Sequence, residues 1–245
     1  MRKNRVLLAI DTATTVCAVA LVDENGEVLH RRAERADVGF LHAERLHVIL
    51  EEMGKLIPSK EWAAVAVSAG PGSYTGLRIG VSAAKGLCFA LNIPLISVSS
   101  LQASAWAAST SLRLTSQDYV WAALDARRME VFGALFTGDG QRISEDTPCV
   151  FSPENEWEFL PKKGLDSPGR WVAAGDGAAK GLPWMPHAER WEDVSGEETV
   201  TAVGILASRK WKEDQIEELA TFEPNYVKAY VAGPPRALGT KQGGH

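Results

Sequence analysis

Residues 9–29 read AIDTATTVCAVALVDENGEVL, and residues 123–143 read ALDARRMEVFGALFTGDGQRI. Set side by side without a gap, at an offset of 114, the two stretches share Ala9/Ala123, Asp11/Asp125, Ala20/Ala134, Leu21/Leu135 and Gly26/Gly140. Ile10/Leu124 and Leu29/Ile143 are alike. Each copy reads as a buried strand ending at Asp, a short turn, a second strand, a glycine turn and a third strand. A second echo follows in the same order. Ala69-Gly70-Pro71-Gly72 and Ala174-Gly175-Asp176-Gly177 each come after a short apolar strand. The chain therefore reads as an α/β protein of two related lobes. Residues 1–104 form the first, and 105–245 form a degraded second copy with a disordered tail from Gly239. The boundary is placed at the Ala/Ser-rich stretch 104–116.

Outward from the first copy, the strands are Val6–Asp11, Cys17–Asp23 and Glu27–Ala33. Leu41, Arg45/Leu46, Ile49/Leu50 and Met53 fall at helical spacing and predict a helix over Leu41–Lys55. Ala63–Ser68 reads as a strand, Thr75–Leu91 as a helix ended by Asn92 and Pro94, and Leu95–Val98 as a strand. In the second half Thr201–Lys212 is helical, and residues 147–170 read as irregular surface.

Two lobes that each open with an Asp-ended hairpin and each hold a glycine turn suggest a nucleotide cleft between them. The hairpins would wrap phosphates and a carboxylate would hold a metal through water. The residues for weak ATP or ADP binding are Asp11, Thr12, Thr14, Thr15, Gly70, Gly72, Asp125, Gly175 and Gly177. Equally, both Asp residues can simply end strands and bond local amides. The loop AGPGSYTGLRIG (residues 69–80) is not a P-loop, since GxxxxGK[ST] is absent, and its GxGxxxG spacing is one residue too long for the dinucleotide fingerprint. As a packing signal it is stronger. Gly72, Gly76, Gly80 and Ala84 recur every fourth residue, so one face of the helix carries no side chains. Glycine costs about 1 kcal/mol inside a helix relative to Ala, so the stripe implies close approach of a backbone, either the molecule's own or a partner's.

Among 245 residues the charge balance is 26 basic against 31 acidic, a net −5. Without a basic run, direct nucleic-acid binding is disfavoured, because phosphate must be met by Lys and Arg. Cys17, Cys88 and Cys149 are odd in number and far apart, which argues against a disulfide framework or a zinc site. The apolar run Val6–Ile10 is too short for a signal peptide, and no stretch reaches the roughly 20 apolar residues of a membrane span. The expected location is cytoplasmic. His42 and His47, five apart, cannot share a metal as i, i+4 histidines do. No catalytic set, metal set or GxSxG motif is present.

The segments LLAIDTATTVCAVALVDENGEVL and SAGPGSYTGLRIGVSAAKGLCFALNIPLISVSSLQA strongly resemble the TsaB (YeaZ) family, and DARRMEVFGALF and PNYVKAY look like its second-lobe signatures. The likeness is dense over 6–105, looser over 119–136 and weak over 137–220. It implies the actin/Hsp70-like (ASKHA) duplicated fold, with a mixed sheet and flanking helices in each lobe. It also implies a non-catalytic subunit that requires no cofactor of its own. Such a subunit pairs with the related transferase TsaD and the ATPase TsaE in N6-threonylcarbamoylation of adenosine 37 of tRNAs reading ANN codons, and meets tRNA only indirectly. TsaD-like proteins hold a metal with a histidine pair on a helix, which this chain lacks. The implied pairing face, used for TsaD or for a homodimer, is Leu41–Lys55 with Thr75–Leu91. His42, Leu46, Ile49, Leu50, Gly76, Leu77, Gly80, Val81 and Ala84 are its expected contacts, and Gly80→Arg is expected to block pairing in a folded chain. The alternative is a nucleotide-binding protein with an ATP-dependent or peptidase-like activity (the family's older M22 label). The residues show no peptidase chemistry.

Overall fold

In the computed structural model, residues 5–35, 41–152, 168–196 and 198–227 are described. The first sheet holds β1 (Val6–Asp11), β2 (Val16–Asp23), β3 (Val28–Arg35), β4 (Trp62–Ser68) and β5 (Leu95–Val98), in the order β3-β2-β1-β4-β5. The second holds β6 (Tyr119–Asp125), β7 (Glu130–Thr137), β8 (Thr147–Val150), β9 (Trp171–Ala174) and β10 (Trp191–Val194), in the order β10-β9-β6-β7-β8. Read from the other edge, the second order is the first again. In both, the first three strands run antiparallel and the last two join parallel to the first. The duplication is thus structural, and the architecture is the ASKHA-like one: two mixed sheets flanked by helices. β8 corrects the irregular reading of residues 147–150; residues 153–167 and the tail from Gly239 lie outside the described residues.

The central strands are apolar throughout because both faces are covered. Leu8 and Ile10 of β1 face α1 (His42–Leu56) and α2 (Tyr74–Leu91), while Leu7 and Ala9 face a layer built from α3 (Ser100–Leu112) and α5 (Val200–Lys212); the short α4 (Ala178–Gly181) follows β9. β3, at the edge, is charged and exposed, which discourages pairing with another chain. α2 is capped by Ser73, whose hydroxyl accepts from Gly76 N–H at 3.2 Å, and is ended by Asn92 at φ 52°.

Most of the Ala/Ser-rich stretch lies in α3. Ala103 of α3 packs with the first sheet's layer and Leu101, Ala105 and Ala108 pack on the second sheet, so small side chains let one helix serve both. A division at 104/105 cuts this helix. α5, from the C-terminal half, lies against β1 and β2 of the first sheet, so close that a Cβ on Gly204 would stand 2.4 Å from Val22 Cγ2. The lobes are separate sheets but not separate stretches of sequence.

Candidate functional site: an inter-lobe cleft and an outer groove

The first hairpin turn and the glycine loop are packed into each other. Ser73 N–H donates to the Ala13 carbonyl at 2.7 Å, and a Cβ on Gly72 would lie 2.4 Å from that same oxygen. Thr12 is fully buried; its hydroxyl donates to the Gly76 carbonyl at 2.8 Å. A Cβ on Gly76 would stand 2.1 Å from the Thr12 carbonyl, and one on Gly80 would stand 2.2 Å from the Thr12 hydroxyl. The backbone that the glycine stripe admits is therefore the chain's own.

In the free chain the expected pairing contacts face inward, and of them Leu50 also lines the outer groove described below. His42, Leu46, Ile49, Leu50, Gly76, Leu77, Gly80, Val81 and Ala84 are all buried, facing β1, β2, β4 and the Thr12 turn. Nε2 of His42 donates to the Thr14 carbonyl at 2.8 Å, pinning α1 to that turn. Gly80→Arg would drive a long side chain into Thr12 and could not leave a folded monomer.

Asp11 is 5% exposed. One carboxylate oxygen accepts from Ala13 N–H at 3.1 Å and the other accepts the hydroxyl of Thr199, at the start of α5. It closes the turn and anchors a helix from the other half of the chain. Asp125 also closes its turn, accepting from Arg127 N–H at 2.6 Å, but it lies on the other face of its strand. Its side chain is exposed and pairs with Lys180 at 2.5 Å. The hairpin registers explain why. Gly26 and Gly140 both sit at φ 89° in matching turns. Counted back equally from those glycines, Ala18 pairs with Asp11 but Phe132 pairs with Leu124. The first turn of the second lobe is one residue shorter, and a one-residue slip turns a strand residue to the other face. Leu124, not Asp125, is the structural equivalent of Asp11, so the second lobe has no matching carboxylate. The ungapped alignment concealed this.

Between the lobes lies a cleft of about 690 Å³, lined by Thr14, Thr15, Gly72, Ser73, Tyr74 and Thr75 on one side and Asp125, Arg127, Glu130 and Asp176 on the other. Behind it a small cavity is lined by Asp11, Asp176, Glu198 and Arg35. A metal-bound nucleotide does not fit these residues. Asp11 is spent on protein partners, its equivalent is Leu124, and Gly70 and Gly72 admit Asn225 and Ala13 rather than a phosphate. Gly175 and Gly177 repeat this in the second lobe, where their Cβ positions are filled by Ala123 and Leu124 backbone. Among the described residues no group of three or more His, Cys, Asp or Glu could hold a metal ion. Burial pushes the Cys17, Cys88 and Cys149 thiols up to about 11, so none is a thiolate nucleophile near neutral pH.

Burial raises the Asp176 carboxyl above its ordinary 3.8, with Asp125 and Asp11 adding like charge while the Asp125 N–H and Arg35 oppose. A carboxyl raised in the folded state costs stability once ionised. Stability should recover as pH falls from the raised value through 3.8, whereas the unfolded chain gives no such gain. Asp176→Asn keeps an acceptor for Asp125 N–H, now 2.9 Å away. The variant is expected to be more stable than wild type at pH 7, an advantage that shrinks on acidification toward pH 4. Urea denaturation at both pH values checks this.

On the opposite side of the first lobe, the outer faces of α1 and α2 leave an apolar groove of about 660 Å³. Ala43 and His47 of α1 and Ile79, Ser82, Ala83, Gly86 and Leu87 of α2 line it. Phe89, on the same helix, is 83% exposed. These outward positions were missed because the helical periodicity was read for its apolar stripe, which faces the sheet. The signal that finds them is the run of small residues at the polar-face positions Ser82 and Gly86.

Comparison with known proteins adds three findings. The family model described as TsaD, tRNA N6-adenosine threonylcarbamoyltransferase, matches residues 37–232. The chain is 37% identical to the tRNA threonylcarbamoyladenosine biosynthesis protein TsaB of Haemophilus influenzae, over 94% of this chain and 96% of that one; for the Bacillus subtilis protein of the same name the figures are 33%, 91% and 93%. YeaZ from Pseudomonas aeruginosa superposes with a TM-score of 0.72 at 28% identity, covering 91% of this chain and 99% of that one. No helix among the described residues is long and apolar enough to cross a membrane.

Proposed function

The chain belongs to the TsaB (YeaZ) family, and from that premise we propose that it supports N6-threonylcarbamoylation of adenosine 37 in tRNAs reading ANN codons as a non-catalytic scaffold. It pairs with a TsaD-like transferase and, through that pair, works with a TsaE-like ATPase. It meets tRNA only through these partners, and it needs no nucleotide of its own.

The observation that carries this reading is the groove between α1 and α2. An exposed apolar groove, with the solvent-facing Phe89 elsewhere on the same helix, supports a protein–protein site there. Gly86 leaves room there, since nothing lies within 4 Å of where its Cβ would be. A partner helix can come close at such a position. The same surface would serve a homodimer, which competes with the heterologous pair. Support also comes from the cleft, where the carboxylate and both glycine turns are occupied by the chain's own packing.

The test is association of the purified chain with a TsaD-like protein, followed by threonylcarbamoyl transfer in a reconstituted mixture with and without it. A stable one-to-one pair, and product only when this chain is present, is the expected result. Transfer at the same rate without the chain would overturn the reading.

A further inference from the structure

Residues 217–226 leave the last helix and cross the first lobe to the cleft mouth, and they are tied down at every stage. Glu217 N–H donates to the Leu95 carbonyl at 2.9 Å, and the Ser97 hydroxyl donates to the Glu217 carboxylate at 2.5 Å, adding a short bridge to the free edge of β5. Leu219 and Phe222 pack on the first-lobe core. Lys85, on α2, donates to the Phe222 carbonyl at 3.0 Å and to that of Ala220 at 3.3 Å. Asn225 then touches both lobes. Its N–H donates to the Ala69 carbonyl at 2.7 Å, and its side-chain amide donates to Asp146, between β7 and β8, at 3.0 Å. Beside it Tyr226 stands 4.9 Å from Tyr74 at the start of α2, and Arg78 lies over the other side of that pair, 5.4 Å from the Tyr74 ring. Asn225 and Tyr226 line the cleft, and Arg78 lines the outer groove.

The geometry points to residues 217–226 as a clasp that fixes the separation of the two lobes at the cleft mouth and ties that separation to α2. Three features support it. The strap bonds to the glycine loop of the first lobe at the point where Gly70 is required: a Cβ there would sit 2.6 Å from the Asn225 carbonyl. Among the described residues its hydrogen bond to the second lobe is made by the Asn225 side chain, onto an Asp146 that also pairs with Arg142, which bonds Ser99 of the first lobe. Its anchors on α2, Lys85 and Arg78, come from the helix that presents the groove. The description of that groove as partner-facing rests on the function proposed above; the clasp itself does not. A partner seated on α2 would sense how wide the cleft stands, because one helix carries both contacts.

Hydrogen exchange on the full free chain tests this. The reporters are Ser73 N–H, bonded to Ala13, and Ala126 N–H, bonded to Glu130, one on each cleft wall. Asn225→Ala cuts the link to Asp146, and Lys85→Ala cuts the link to α2. Each is expected to speed exchange at both reporters by tenfold or more while amides within α3 stay as in wild type. The double variant Asn225→Cys with Asp146→Cys, oxidised, should slow the reporters below wild type and release them on reduction; the three native cysteines are buried and do not compete. Reporter exchange within twofold of wild type in the cut variants, or unaffected by the disulfide, would overturn the clasp. Because no partner is present, failure of the pairing proposal would leave this result standing.

Discussion

Gly76→Ala is expected to lower stability by on the order of 3 kcal/mol, the upper end of the overpacking range. The added carbon would stand 2.1 Å from the Thr12 carbonyl, where the closest favourable C–H···O approach is about 3.3 Å. Neither side can yield cheaply. Thr12 directly follows a strand bonded into the sheet, and its hydroxyl is tied to the Gly76 carbonyl itself. α2 is fixed by its Ser73 cap and by Leu77, Val81 and Ala84 in the core. At roughly 2–4 °C per kcal/mol for a chain of this size, Tm should fall by about 6–12 °C. Gly86→Ala, on the same helix, is the internal comparison. Nothing lies within 4 Å of its Cβ position, so only helix propensity acts, and the substitution should stabilise by up to about 1 kcal/mol. Thermal unfolding of the two variants separates packing from propensity. Equal destabilisation by both would mean that the stripe is not held against Thr12.

Gly86→Arg and Ser82→Arg are expected to weaken association with a TsaD-like partner by 100-fold or more while leaving Tm within about 2 °C of wild type. Both residues are exposed and line the groove, so the monomer has room for the new side chain. A partner helix seated in the groove would not. A hundredfold loss is about 2.7 kcal/mol, the magnitude seen when the centre of an interface is disrupted. Titration calorimetry with purified proteins reads the affinity. Unchanged affinity for folded Gly86→Arg would move the pairing surface elsewhere.

The residues revealed the fold more fully than they revealed the site. Gly26 and Gly140 sit in turns that demand positive φ, and the strands before them repeat in order, so the duplication left a trace in the sequence. The slip that separates Asp125 from Asp11 left none. Deleting one residue from a turn changes no composition, yet it reverses which face a carboxylate occupies. α3 went unseen for a related reason. A helix wedged between two sheets is small and apolar on both sides, so it lacks the polar face by which helices are found. The stripe of Gly72, Gly76 and Gly80 announced that a backbone comes close, but spacing cannot say whose backbone. The apolar residues of α1 and α2 announce burial, and spacing alone does not separate burial on a partner from burial on their own sheet, where they lie. The strap ending at Asn225 and Tyr226 follows no period, because its bonds go to other elements one at a time.

The central claim is that the glycine loop and Asp11 serve packing, and that the outer groove serves function. Threonylcarbamoyl transfer to unmodified tRNA, reconstituted with TsaD-like and TsaE-like proteins, the adenylate-forming enzyme, threonine, bicarbonate and ATP, tests both halves at once. Asp11→Asn keeps the shape and an acceptor for Ala13 N–H, and its amide can donate to the Thr199 hydroxyl instead of accepting from it, but it removes the charge a metal-bound nucleotide would need. Wild-type transfer with Asp11→Asn, and transfer lost with Gly86→Arg, is the predicted result. Transfer lost with a folded Asp11→Asn that still pairs would contradict it, and would return the chemistry to the cleft.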